Sequence, residues 1–214
     1  MYFSPIDTQK ISHELFAVRV KIVNMFLYIE GENIIAIDSC YKPKILRREL
    51  DKVGIDPSTV NHLFLTHTDY DHSGGINLFP NAKIYLSADE EQMITRITPR
   101  MLWIYNYPIK RKYELISDGS IINLGVTSVQ AILTPGHTPG STCYLINDRM
   151  LFTGDSLRLN NGKAQPFYSL QNMNTKTQKE SIRKLTSLTK VEILCTAHSG
   201  YSQSFEASIK GLNK

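Results

Sequence analysis

The chain has 214 residues, of which 42 % are apolar and 21 % charged, an ordinary globular composition that predicts one domain over residues 1–214. A net charge of +4 excludes a strongly basic nucleic-acid surface, and the basic clusters Lys42–Arg48 and Lys110–Lys112 read as solvated faces. Three scattered cysteines, Cys40, Cys143 and Cys195, exclude a disulfide framework, and no apolar run approaches the roughly 20 residues of a membrane span; with no signal-peptide pattern at the start, the expectation is a soluble, cytoplasmic protein.

Taken in chain order, "AVRVKIVNMFLYIE" and "NIIAID" predict strands joined by the turn Gly31-Glu32-Asn33. "PKILRRELDKVG" predicts an amphipathic helix, with Pro43 in its first turn and Gly54 at its end. "VNHLFLTH", "AKIYLS", "SIINLG", "TSVQAILTPGH", "TCYLIN", "RMLFTGD" and "VEILCTAH" predict further strands. "RLNNGKAQPFYSLQNM" reads as a polar loop, and "TKTQKESIRKLTSLTK" as a late helix with Ile182, Leu185 and Leu188 on one side. Residues 88–115 stand apart, rich in aromatic side chains and broken by Pro99 and Pro108. They read as a helical insertion, either packed on the core or serving as a lid through Met101, Trp103, Tyr105 and Tyr107. Consecutive strands with occasional helices favour two sheets with helices outside over a doubly wound parallel sheet.

Four of the apolar runs finish on a metal-ligand type: "LFLTH" on His67, "AILTPGH" on His137, "RMLFTGD" on Asp155 and "VEILCTAH" on His198. Strand ends that project polar groups into one crevice are a common way to build a site. One buried histidine would be a satisfied core residue; three of six histidines placed this way, with an aspartate, point to a metal centre. The first run continues into "THTDYDHSGG", which packs His67, Asp69, Asp71 and His72 into six positions. Imidazole with carboxylate suits Zn, Mn or Fe, and the lack of cysteine in the cluster excludes a closed thiolate site. His13 and His62 have no such pattern and read as structural or exposed.

With "THTDYDHSGG", "TPGHTPGS", "FTGDSL" and "TAHSG" in this order, the sequence resembles the metallo-β-lactamase superfamily from about residue 20 to 205. "NMFLYIEGENIIAIDSC" also looks like the family's first hairpin, with Cys40 where a glycine is usual. The resemblance implies an α/β (α+β) fold, an αββα sandwich of two mixed sheets with outer helices. It implies two divalent metal ions: His67, Asp69 and His137 for the first, Asp71, His72 and His198 for the second, and Asp155 bridging. A hydroxide between the ions would attack an ester, thioester, lactone or phosphodiester, and Asp71 would orient it and pass a proton to the leaving group. Tyr168, after Asp155, is the candidate substrate-binding residue by the same likeness, ahead of Lys163.

Asp69 departs from the family, which usually has histidine there. A third carboxylate makes the site less positive, weakens water activation and favours Fe or Mn beside the expected Zn. Aspartate is also short, so the first ion is expected to be weakly held unless the loop shifts. The leading expectation is a metal-dependent hydrolase of a small molecule, similar to glyoxalase II and small lactonases but without glyoxalase II's added C-terminal helical domain. A secreted β-lactamase is disfavoured by the lack of a leader. An iron-dependent redox enzyme, diiron or sulfur-dioxygenase-like, is the alternative, and a regulatory protein with a degenerate site ranks last because the second-metal ligands are all present. No nucleic-acid or membrane partner is expected; the apolar stretch Met101–Tyr107 could serve as a homodimer contact.

Overall fold

Side-chain alternation decides the layers. The structure, a computed structural model, describes residues 3–212. Strands β1 (Gln9–Lys10), β2 (Leu15–Val20), β3 (Val23–Glu30), β4 (Asn33–Ile37), β5 (His62–Phe64), β6 (Lys83–Ser87) and β7 (Tyr113–Ile116) form one sheet in that order. Its pairs are antiparallel up to β4 and parallel from β4 to β7. The second sheet uses β8 (Ile121–Leu124), β9 (Thr127–Leu133), β10 (Thr142–Ile146) and β11 (Met150–Phe152). A separate hairpin follows, β12 (Leu157–Asn160) with β13 (Lys163–Pro166). β14 (Ile193–Thr196) and β15 (Gly200–Ser202) complete the second sheet, whose order is β15-β14-β11-β10-β9-β8.

Along β3, Phe26 and Tyr28 join Tyr144, Ile146 and Phe152 in the core between the sheets, while Met25 and Leu27 face Leu46 and Leu50 of helix α1 (Pro43–Lys52). Along β10, Tyr144 and Ile146 turn inward, and Cys143 and Leu145 pack outward on Ile182, Leu185 and Phe205. Period-two alternation in strands buried on both faces therefore produces the αββα order. The short helices are α2 (Tyr70–Ser73), α3 (Glu91–Ile94), α4 (Thr175–Ser181) and α5 (Phe205–Ile209). The three cysteines are buried and free. No helix among the described residues is long and apolar enough to cross a membrane.

Four expectations need correction. "AVRVKIVNMFLYIE" is two strands, reversed at Lys21–Ile22 with Lys21 in left-handed backbone; neither turn residue is Gly, Pro, Asn or Asp, so nothing local marked the turn. The supposed polar loop after Asp155 contains the β12–β13 hairpin, turned by Asn161 and Gly162, both at positive φ, as an Asn-Gly hairpin requires. The late helix is α-helical only to Ser181 and tightens into a 3₁₀ helix over Ile182–Ser187. In the 88–115 segment, helix ends at Ile94; a tight turn follows at Arg100–Ile104, and residues 113–116 are strand β7.

Candidate metal centre

All seven predicted ligands converge at one end of the two sheets. The strands stop two to four residues before them: β5 at Phe64, β9 at Leu133, β11 at Phe152 and β14 at Thr196. The intervening residues are held by other bonds. Thr66 N donates to Asp38 Oδ1 at 2.8 Å, Thr142 N donates to Thr66 O at 2.9 Å, and Thr153 N donates to Cys195 O at 3.0 Å. Asp69 begins the single turn of α2, so that His72 N and Ser73 N both donate to Asp69 O. The buried Tyr144 hydroxyl donates to Leu65 O at 2.8 Å and ties the second sheet to the loop carrying His67, a bond worth about 1 kcal/mol.

Beneath these loops lies Glu90, 1 % exposed. One carboxylate oxygen accepts from Thr68 N and Thr68 Oγ1, and the other from Thr138 Oγ1 and Gly140 N. It thus clamps the loops of Asp69 and His137 together. A Cβ on Gly140 would run into the Glu90 backbone, so that position takes glycine. Burial outweighs the four hydrogen bonds and lifts the Glu90 carboxyl to about 7.

One half of the centre is built from Asp71, His72, Asp155 and His198. His72 Nδ1 lies 2.8 Å from Asp38 Oδ2, and His198 Nδ1 donates to Ile22 O at 2.6 Å. Those bonds leave both Nε2 lone pairs for the centre. The two Nε2 atoms are 3.4 Å apart, and Asp155 Oδ1 is 3.5 Å from the first and 3.3 Å from the second. Asp71 Oδ2 lies 3.9 Å from His72 Nε2 and 3.5 Å from His198 Nε2. Tetrahedral zinc with oxygen and nitrogen ligands has edges of about 3.3 Å, and His72 Nε2, His198 Nε2 and Asp155 Oδ1 are spaced as three corners of such a site, with Asp71 beside the two histidines. Asp155 Oδ1 and His67 Nε2 are buried with no hydrogen-bond partner, as lone pairs awaiting a cation would be. These residues fit a divalent ion.

Electrostatics agree. Burial opposes a charged His72, yet Asp155, Asp38 and Asp71 outweigh it and lift its pKa to about 10. His198 is also raised, with Asp155 overcoming burial. Burial would raise Asp155, but His198 and His72 hold it far below the usual carboxylate range. His67 is depressed by burial and by His72 and His137. The side of the pocket built from His72, His198 and Asp155 therefore favours added positive charge.

The other half brings His67, Asp69 and His137 together, with Asp69 Oδ2 3.7 Å from His67 Nε2 and 3.2 Å from His137 Nε2. Here a residue with no assigned role intervenes. Arg100 Nε lies 2.8 Å from both Asp69 oxygens, and its Nη2 lies 3.2 Å from His137 Nε2 and donates to Gln171 O at 2.7 Å. Asn106 Nδ2 adds a 3.2 Å bond to Asp69 Oδ1.

Tyr168 is half-buried. Its ring packs on Phe3, Phe167 and the Arg158 guanidinium. Phe167 meets His137 at 5.3 Å and His198 at 5.6 Å between ring centres, and Phe3 stacks on His198 at 4.3 Å. Lys163 and His13 are exposed, and His62 is half-buried against Tyr85.

Solved structures share this fold at low identity. A B3 metallo-beta-lactamase with an active-site glutamic acid aligns with a TM-score of 0.75 over 97 % of this chain and 87 % of its own, at 18 % identity. An archaeal superfamily protein from Sulfolobus tokodaii aligns with a TM-score of 0.70 over 95 % and 87 %, at 20 % identity. Among curated proteins, a probable polyketide biosynthesis zinc-dependent hydrolase of Bacillus velezensis is 30 % identical over 59 % of this chain and 50 % of its own length. A hydroxyacylglutathione hydrolase of Francisella tularensis subsp. novicida is 32 % identical over 44 % and 33 %. The chain spans half or less of these two relatives. The family model itself matches residues 18–198, enclosing all seven predicted ligands, and the chain belongs to the metallo-beta-lactamase superfamily.

Proposed function

We propose that this protein is a zinc-dependent hydrolase of a small-molecule ester, thioester or lactone. The observation that carries this reading is the 3.3–3.5 Å triangle of His72 Nε2, His198 Nε2 and Asp155 Oδ1, with Asp71 Oδ2 3.5 Å from His198 Nε2. Relatives named as a zinc-dependent hydrolase and a hydroxyacylglutathione hydrolase support it. When bound there, a divalent ion supplies an activated water near neutral pH and a Lewis acid for a carbonyl oxygen. The chain's own residues do the rest. His72 and His198 are fixed in the tautomer that presents Nε2. Asp71, the most exposed of the ligands at 28 %, is placed to take the attacking water's proton and return it to the leaving group. Phe3 and Phe167 screen His198 and His137 from bulk water. Met101, Trp103 and Tyr107 are exposed on the segment that carries Arg100 and favour an apolar or aromatic acyl group.

The redox alternative took Asp69 as a third hard ligand. Its carboxylate is bonded to Arg100 instead, so that reasoning no longer favours iron. The test is hydrolysis of a panel of acyl-glutathione thioesters, aryl esters and lactones by the zinc-loaded protein. Turnover of at least one class, lost with a chelator and regained with zinc, is expected. No turnover of any class by the loaded protein would overturn the proposal.

A further inference from the structure

The first half of the centre contains its own cation. Arg100 sits at the start of the tight turn where its N donates to Ile104 O, and the turn directs the guanidinium to Asp69 and His137. A guanidinium has donors and no acceptor. His137 Nε2 lies 3.2 Å from both Arg100 Nη2 and Asp69 Oδ2, and His137 Nδ1 lies 3.4 Å from Asn172 Oδ1; with the ring proton on Nδ1, Nε2 accepts from Arg100 through the lone pair a metal would need, and with it on Nε2 that lone pair is gone. Both oxygens of Asp69 are likewise bonded by Arg100 Nε. Two of the three donors of the first position are engaged, and only His67 Nε2 is left without a partner. The first position does not fit an ion while Arg100 is in place.

We propose that the Arg100 guanidinium is a resident cation at the first metal position, so that the working centre holds a single ion at Asp71, His72, Asp155 and His198. This rests on the metal-hydrolase reading above and replaces the two-ion expectation. It also accounts for Asp69: an aspartate makes a charged bond with the guanidinium, whereas a histidine there would offer one uncharged acceptor.

The test is metal stoichiometry. Wild-type protein titrated with zinc against a chromophoric chelator should saturate at about one equivalent. Arg100→Gln, checked for folding by its thermal melt, should take up a second equivalent, with an affinity gain for it on the order of 100-fold. A cobalt(II) titration of the wild type followed by electron paramagnetic resonance stands independently of any variant, and should show one isolated ion with no coupled pair. Two equivalents in the wild type, or one in both wild type and Arg100→Gln, would overturn the role of Arg100. No bound metal in any of the proteins would instead remove the hydrolase reading itself.

Discussion

The two halves of the centre draw on the same side-chain chemistry and differ in their neighbours. In the second, His72 and His198 each have Nδ1 tied to an acceptor, so their Nε2 atoms and Asp155 Oδ1 face one point with nothing between them. In the first, His137 and Asp69 already have a partner delivered by an irregular segment 31 residues beyond Asp69. Ligand identity alone therefore does not define a metal site. A donor counts only if its lone pair is free, and that depends on groups far away in sequence. Asp155 joins the halves, with Oδ1 near His72 and His198 and Oδ2 3.5 Å from His137.

Replacing Asp155, which both halves share, gives the largest effect. Asp155→Asn keeps the shape and removes the charge that two histidines and an ion share. Zinc content should fall well below that of wild type, and kcat/KM by about 1,000-fold or more, roughly 4 kcal/mol of barrier. Elemental analysis and the hydrolysis assay check both. Full zinc content in Asp155→Asn would show that the second half does not need its link to the first.

Glu90 bears on both halves, since it ties the Thr68 loop, which carries His67, Asp69, Asp71 and His72, to the loop of His137. Its folded pKa of about 7 lies above the ordinary 4.5, so between those values the folded protein holds a proton that the unfolded chain has released. Stability must then fall as pH rises through that window, by roughly 3 kcal/mol at most. Glu90→Gln removes this contribution. Denaturant unfolding of both proteins from pH 4 to 8 should give a difference that shrinks in favour of the variant as pH rises. A pH-independent difference would mean that Glu90 is ionised throughout, its four donors prevailing over burial.

Four of the seven candidate ligands, His67, His137, Asp155 and His198, stand out in the sequence because each follows an apolar run, and strands buried on both faces carry their polar residues at their ends. Asp38 had the same form at the end of "NIIAID" and could have been read by the same rule. The Asn161-Gly162 hairpin was equally legible. Arg100 was not. It lies in "ITPRMLW", where nothing periodic marks it, and its meaning comes from a turn that brings it to Asp69 and His137. Glu90 sits among Asp89 and Glu91, and only packing distinguishes the buried acid from its neighbours.

Asp38 offers the finest test of the idea that free lone pairs make the site. It is 2 % exposed with left-handed backbone, and its carboxylate accepts from Thr66 N and Thr66 Oγ1 while holding His72 Nδ1. In Asp38→Asn, one oxygen still serves Thr66, but an amide NH₂ then faces the imidazole. A donor facing a donor is unfavourable, so His72 moves its proton to Nε2 and withdraws the lone pair aimed at Asp155 and His198. Zinc affinity should fall by about 10- to 100-fold. The first half should be indifferent, since the bonds between Arg100 and Asp69 do not involve Asp38. Chelator competition reads the affinity, and the pH dependence of zinc binding separates tautomer from packing: a tautomer effect persists in a folded variant whose melt matches wild type without metal. A variant with unchanged zinc affinity would show that the orientation of His72 is set by the α2 turn alone, and that the second half owes its free lone pairs to the backbone and not to Asp38.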